Sequence, residues 1–215
     1  MNRVLATCAA PLLLALAVAA CGGGDGDPQA KARAKPLSIV ALGDSVAVAV
    51  PECDGCTSFV DLWGDGLAKE ANRPVEVSNH AVPGDKASEV LAQVKGDGAT
   101  RAAIKHADLM VVALGIDDTS WKQSPRDYET TLEAILDELD TLRAGGPPHL
   151  RLTTVYDSEA VARMQCRLVE HHGGVCVDTR PAKRFLASDH IHLGPAGHKA
   201  IAELLLRTDA PKETR

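Results

Sequence analysis

A serine, an aspartate and a histidine in this sequence have the types and spacing needed for nucleophilic catalysis. Ser45 follows an apolar run that begins at Leu37, and Asp189 precedes His192 by three residues near the other end of the chain. A serine hydroxyl becomes an effective nucleophile when a histidine takes its proton and a carboxylate holds that histidine in the correct tautomer. The three residues therefore indicate acyl transfer. Two local alternatives remain: Asp44 and Ser45 could cap a following helix, and Asp-x-x-His also occurs in ordinary loops.

Two further polar segments could supply the hydrogen-bond donors that stabilise an oxyanion during acyl transfer. Gly84 closes the segment 79–84, and a glycine lets a backbone N–H group approach a ligand closely. The segment 115–118, Gly-Ile-Asp-Asp, follows a strongly apolar run. Either segment could equally be a simple turn. Their occurrence together with the serine and Asp-x-x-His segments predicts a single site.

The elements between these segments predict how the site is assembled. Short apolar runs that end at glycine or polar residues are typical of buried strands, and they alternate here with segments of helical apolar period. The predicted strands cover residues 37–43, 75–78, 108–114, 150–155 and 175–177, and the predicted helices cover 58–71, 87–94, 125–143, 158–171 and 195–206. This alternation predicts an α/β fold with a parallel sheet covered on both faces. Ligands bind at the carboxyl ends of such strands, where the polar segments lie.

The amino-terminal segment has the features of an export signal. It carries one charge, Arg3, followed by an apolar run over residues 9–20, which is shorter than the roughly 20 residues that span a bilayer. Val18-Ala19-Ala20-Cys21 resembles the lipobox of bacterial lipoproteins. That resemblance implies cleavage before Cys21, lipidation of Cys21 and anchoring to a membrane surface of the cell envelope. Ordinary secretion with cleavage nearby is the alternative.

The next segment is rich in Gly, Asp, Ala and Lys and has no apolar period, which is typical of a flexible tether. The sequence thus divides into a signal peptide (1–20), a tether (21–36) and one folded domain (37–215).

Composition excludes several classes of function. The chain has 23 Lys and Arg against 29 Asp and Glu, a net charge of −6, so it lacks the basic surface that a nucleic-acid partner requires. No Gly-x-Gly-x-x-Gly follows the first predicted strand, so a dinucleotide site is not expected. The histidine spacing does not indicate a metal site.

An exported chain is in surroundings that allow disulfides to form. With the signal peptide removed and Cys21 lipidated, four cysteines remain, and they allow three connectivities. Proximity favours two bridges, Cys53–Cys56 and Cys166–Cys176. Cys53-Asp-Gly-Cys56 could instead be a redox motif or half of a zinc site.

The four polar segments, in their order along the chain, resemble those of the SGNH (GDSL-type) hydrolases. The matching segments are Gly43-Asp44-Ser45, residues 79–84, Gly115-Ile-Asp-Asp118 and Asp189-x-x-His192. The resemblance spans about residues 37–206 and is nearest to the small thioesterase/arylesterase-like branch.

Membership of this family would imply a flavodoxin-like three-layer α/β/α sandwich with a five-stranded parallel sheet. Ser45 would be the nucleophile, His192 the general base and then acid, and Asp189 the residue that orients His192. The backbone N–H groups of Ser45 and Gly84 would bind the oxyanion. The reaction would be two-step hydrolysis of an ester or thioester without a metal or organic cofactor.

One position departs from the family pattern. The family has an asparagine, an oxyanion donor, where this sequence has Asp117. An ionised carboxylate cannot donate, and the loss of one donor costs ~10² to 10³ in rate. Asp117 could be protonated, could point away from the oxyanion, or could mark a site that binds without hydrolysing.

The functional alternatives follow from that position. The sequence favours a lipid-anchored serine esterase, with a carbohydrate O-deacetylase as a variant of that activity and a weakened envelope binding protein as the competing class. His190 could replace His192 as base, and His80 could touch substrate, although both are more simply loop residues.

Overall fold

The computed structural model describes residues 35–53, 55–120, 124–143 and 149–209. The predicted signal peptide, Cys21 and most of the predicted tether lie outside these residues. The strands are β1 (Leu37–Gly43), β2 (Val75–Asn79), β3 (Leu109–Ala113), β4 (His149–Thr153) and β5 (Val175–Val177). The helices are α1 (Phe59–Glu70), α2 (Ala87–Gly96), α3 (Gly98–His106), α4 (Ile116–Ser120), α5 (Pro125–Leu142), α6 (Glu159–His171) and α7 (Pro195–Asp209). Three 3-10 helices cover Ser45–Ala47, Pro51–Cys53 and Arg180–Phe185.

The five strands form one parallel sheet in the order β2-β1-β3-β4-β5. Helix α1 packs against α7, whereas α2, α3 and α6 pack against α5. These two groups cover opposite faces of the sheet, as right-handed crossovers require. The structure therefore confirms the predicted three-layer α/β/α architecture.

The core lies where the apolar runs predicted it. All five residues of β3 are buried, and so are the last five of β1. Helix α5 begins at Pro125, a residue suited to the first helical turn. Helix α3 was not predicted; it begins after Asp97 and buries only Thr100 and Ile104. Its apolar pattern is too sparse to show helical periodicity.

The strand order reverses at β1. The chain passes from β1 to β2 on one side of it and then to β3 on its other side, so a crevice opens between the carboxyl ends of β1 and β3. Gly43 ends β1 with a φ of +139°, and a Cβ there would lie 1.7 Å from the carbonyl oxygen of Ala113. Only glycine fits this turn, and Ser45 follows it directly.

Both favoured disulfides are present, Cys53–Cys56 and Cys166–Cys176. The first closes the loop between the Ser45 turn and α1, and the second joins α6 to β5. Among the described residues, no helix is both long enough and apolar enough to cross a membrane.

Candidate active site

The structure brings Ser45, His192 and Asp189 together at the carboxyl edge of the sheet. Nε2 of His192 lies 3.1 Å from Oγ of Ser45, and Nδ1 of His192 lies 2.6 Å from Oδ2 of Asp189. Ser45 is 6% exposed, and His192 is partly buried. The spacing is that of a nucleophile, a base and a group that orients the base. His190, the alternative base, is exposed and is not the histidine that reaches Ser45.

The carboxylate of Asp189 is built into its own turn. Burial raises the pKa of Asp189, but hydrogen bonds from the Ile191 and His192 N–H groups and from the His192 ring outweigh burial and bring the pKa to about 2. Asp189 is therefore ionised at neutral pH and accepts a hydrogen bond from the protonated Nδ1 atom of His192. This tautomer leaves Nε2 free to accept the proton of Ser45.

Tyr156, from the loop after β4, supports the same turn. It is buried, and its hydroxyl donates to the carbonyl oxygen of Ile191, the residue that precedes His192. Gln165 donates to the carbonyl of Leu114 and to the hydroxyl of Tyr128, and it accepts from the N–H of Val155. These contacts hold the loops after β3 and β4 in position relative to each other.

Asp44 lies between the nucleophile turn and the loop after β3. It is fully buried, and one oxygen accepts the N–H of Val46 at 2.9 Å while the other accepts those of Gly115 and Ile116 at 3.1 and 3.3 Å. The capping role expected for Asp44 is thus present, but its second oxygen also holds a separate loop. Burial raises the pKa of Asp44 to about 7, and Asp117 adds to that increase.

The loop after β2 runs beside the nucleophile turn. The N–H of Val82 donates to the carbonyl of Gly43 at 3.0 Å, and Nδ2 of Asn79 donates to the carbonyl of Ala47 at 2.8 Å. Gly84 is exposed in this loop and has a φ of +88°, a value that favours glycine. Both ring nitrogens of His80, the residue considered as a substrate contact, are within hydrogen-bond distance of Ser78 and Thr100.

Asp117 and Asp118 begin the short helix α4. Asp118 is fully buried, and both of its oxygens accept the N–H of Ala87 at 3.1 Å, which caps α2. Asp117 is partly buried, and its Oδ2 atom is buried without a hydrogen-bond partner. The segment 115–118, for which a simple turn was the alternative, thus leads into a helix that directs the Asp118 carboxylate to α2 and leaves Oδ2 of Asp117 without a donor among the described residues.

His198 provides a contact that the sequence did not suggest. It is buried in α7, and its Nδ1 accepts the N–H of Phe59, the first residue of α1, at 3.1 Å. Burial lowers the pKa of His198 to about 4. Its ring, Cys53 and Cys56 are the one group among the described residues that could hold a metal, with ligand atoms within 4.8 Å. The two sulfurs are bonded to each other, and Nδ1 is occupied, so this state of the chain does not suit a metal.

The residues missed from the sequence share one property. Tyr156 and Gln165 act through contacts between segments that lie 10 to 51 positions apart. No short spacing signals such contacts. In the sequence, the position of Tyr156 directly after the predicted fourth strand is the one feature that could have drawn attention to it.

The family and fold comparisons agree with this geometry. The model of the GDSL-like Lipase/Acylhydrolase family matches residues 41–200, and the chain belongs to that family. It is accordingly a carboxylic ester hydrolase. No curated protein matches the sequence significantly.

Solved structures share the fold at low sequence identity. Lipase Lip_vut3 from a goat rumen metagenome is 18% identical, with a TM-score of 0.69, and the match covers 82% of this chain and 99% of that chain. TesA is 19% identical, with a TM-score of 0.67 and coverage of 81% and 98%. Axe2, an acetylxylan esterase from Geobacillus stearothermophilus, is 21% identical, with a TM-score of 0.63 and coverage of 83% and 96%.

The burial of Asp118 predicts a pH-dependent effect of Asp118→Asn on stability. Burial raises the pKa of Asp118 from 3.8 to about 6 in the folded chain. The stability that this shift contributes is present below the unfolded pKa and is lost as pH rises through 6. An asparagine keeps one acceptor for Ala87 but does not titrate.

Relative to wild type, the unfolding free energy of Asp118→Asn should therefore increase between about pH 4 and pH 7, on the order of 1–2 kcal/mol. Urea unfolding of both proteins at the two pH values measures it. A difference that stays constant across this range would contradict the role assigned to Asp118.

Proposed function

We propose that this chain hydrolyses acyl esters or thioesters through an acyl-Ser45 intermediate, as a member of the small thioesterase/arylesterase-like branch. The observation that carries the proposal is the continuous contact from Ser45 Oγ through the His192 ring to Asp189. The ionised Asp189 fixes the tautomer in which Nε2 is a base. No metal or organic cofactor enters the proposed reaction.

In the first step, Oγ of Ser45 forms a bond to the carbonyl carbon while its proton passes to Nε2 of His192. The resulting oxyanion collapses, the bond to the alcohol or thiol breaks, and His192 returns the proton to that leaving group. In the second step, water attacks the acyl-Ser45 carbonyl and gives a proton to His192. Collapse releases the carboxylic acid, and the proton on His192 returns to Ser45.

The oxyanion forms between two loops that the structure brings together. The backbone N–H groups of Ser45 and Gly84 are assigned as its donors, and both residues follow strand ends at the same edge of the sheet. Asp117 stands where the family has its third donor. A carboxylate donates there only when it is protonated, so Asp117 weakens oxyanion stabilisation in its ionised form.

The protein acts at the cell envelope, anchored by lipid on Cys21 after removal of residues 1–20. The support is the sequence Val18-Ala19-Ala20-Cys21, followed by a Gly-rich tether that would hold the domain away from the membrane. The predicted domain boundary, Leu37, is the residue at which β1 starts.

Removal of the nucleophile tests the catalytic proposal. Ser45→Ala in the purified full-length chain should lower kcat/KM for p-nitrophenyl acetate roughly a thousandfold or more, because Ser45 supplies the oxygen that carries the acyl group in the proposed intermediate. Ser124→Ala is a matched control, since Ser124 is exposed at the start of α5 and makes no side-chain cap. Equal hydrolysis by wild type and Ser45→Ala would overturn the mechanism and favour a binding protein on this scaffold.

Restoring the family residue tests the role of Asp117. Asp117→Asn should raise kcat about tenfold, up to ~10², because an amide donates to the oxyanion at any pH. A fall in kcat with the fold intact would show that Asp117 has a different role.

Replacement of the lipidated residue tests the location. In a bacterial host that processes lipoproteins, the wild-type chain should fractionate with membranes and have an intact mass that fits cleavage before Cys21 plus acyl chains. Cys21→Ser should leave the membrane fraction. A wild-type chain recovered in the soluble fraction without added lipid would contradict the anchor.

A further inference from the structure

Carboxylates dominate the charged groups around the catalytic residues. The loops after the first four strands each contribute one or more, in addition to Asp189. They are Asp44 after β1, Asp85 after β2, Asp117 and Asp118 after β3, and Asp157 after β4. We refer to Asp85, Asp117 and Asp157, which are not fully buried, as the acidic rim.

The members of the acidic rim lie close enough to influence one another and the site. Burial is the largest cause of the raised pKa of Asp44, Asp85 and Asp118, and the negative charge of Asp117 adds to the increase in all three, as Glu89 does for Asp85 and Asp118. Asp157 accepts a hydrogen bond from Thr119 of α4 at 3.2 Å, which joins the loops after β3 and β4. Burial raises the pKa of Tyr156, and four carboxylates add to this increase. They belong to Asp44, Asp157, Asp189 and Asp117.

No cation in the described part of the chain neutralises the acidic rim. The ion pairs between described residues include none of its three carboxylates. Arg180 pairs with Asp178 at 2.7 Å, and Lys86 interacts electrostatically with Glu89. A cleft lined by charge of one sign concentrates ligands of the opposite sign and repels those of the same sign.

Asp117 adds an unmet hydrogen-bonding requirement. Its Oδ2 atom is buried and has no partner among the described residues, although a buried acceptor without a donor is costly. Asp117 follows Ile116, whose N–H is held by Asp44, and Asp44 precedes Ser45. The unpartnered oxygen therefore belongs to the loop that faces the nucleophile turn across the crevice.

Two exposed apolar side chains lie beside the same residues. Val82 is 44% exposed in the loop that carries Gly84, and Ile191 is 49% exposed next to His192. Among described residues, only Val175 is a further large apolar side chain with comparable exposure. Apolar surface together with unneutralised carboxylates suits an alkylated ammonium group better than a strongly hydrated anion.

From these observations we infer that the active site selects esters with a positive charge near the scissile carbonyl and discriminates against phosphate-bearing thioesters such as acyl-coenzyme A. This selectivity rests on the proposed function, because it concerns substrates of the Ser45 reaction. The acidic rim is the specificity determinant, and Val82 and Ile191 provide the apolar contact.

Three thioacetates test the inference with one acyl group and one readout, the release of thiol. They are acetylthiocholine, its neutral isostere in which carbon replaces the ammonium nitrogen, and acetyl-coenzyme A. For the full-length chain, kcat/KM should be about tenfold higher for the cation than for the isostere at low salt, and lower for acetyl-coenzyme A than for the isostere. The cationic advantage should shrink as salt rises from about 20 mM to about 500 mM, because added ions screen the carboxylates.

Single charge removals locate the effect. Asp85→Asn and Asp157→Asn should each lower the ratio of cationic to neutral kcat/KM two- to threefold, with rough additivity in the double variant. Asp137→Asn makes the same charge change at an exposed position of α5 and should leave the ratio unchanged. Asp137 lies about 13 Å along the helix from Tyr128, the α5 residue that contacts Gln165 near the site.

The outcomes separate the two proposals. Hydrolysis of the neutral isostere only by chains with Ser45 supports the mechanism. If the cationic substrate then has no advantage, or one that salt does not change, the proposed selectivity is wrong although the mechanism stands. If Ser45→Ala hydrolyses the neutral isostere as fast as wild type, the proposed mechanism itself is wrong.

Discussion

The buried carboxylate of Asp44 connects the two loops on which the active site depends. One oxygen accepts a hydrogen bond from the turn that presents Ser45, and the other accepts from Gly115 and Ile116, directly before Asp117. Because β1 and β3 are neighbours at the point where the strand order reverses, one side chain can reach both loops. Gly43 makes this possible, since any side chain at that position would collide with the backbone of β3.

This arrangement places several negative groups in a small volume. Asp44 and Asp118 are both fully buried, and burial is the largest contribution to the raised pKa of each. Backbone N–H groups oppose that effect by stabilising the ionised forms, but they do not cancel it. The site is therefore held together by carboxylates whose ionisation at neutral pH works against the stability of the fold. Asp189 differs, because the donors of its own turn keep it ionised and ready to orient His192.

The sequence predicted those parts of the molecule that depend on local pattern. Each of the five strands lies within two residues of its predicted bounds, since apolar runs that end at polar or glycine residues are unambiguous here. Helix α3 had no such pattern. The segment 115–118 was assigned to the site with a simple turn as the alternative, and helix α4 was not predicted because its 5 residues are too few to show helical periodicity. The motif spacing predicted Ser45, Asp189 and His192 as catalytic residues, and in the structure their side chains are in contact. The contacts by which Tyr156 and Gln165 support the site could not be predicted, because they join residues that lie 10 to 51 positions apart.

The charge at Asp117 links the catalytic and the selective features of the site. With a neutral ester, an ionised carboxylate at this position opposes the negative charge that develops on the carbonyl oxygen. With a cationic ester, the substrate brings a positive charge into the same field, and that charge offsets both Asp117 and the oxyanion. The ionised aspartate then destabilises the transition states of neutral and anionic substrates more than those of cationic substrates. An aspartate that lowers the rate for neutral esters can in this way increase the selectivity for cationic esters, because specificity depends on the free-energy difference between competing transition states.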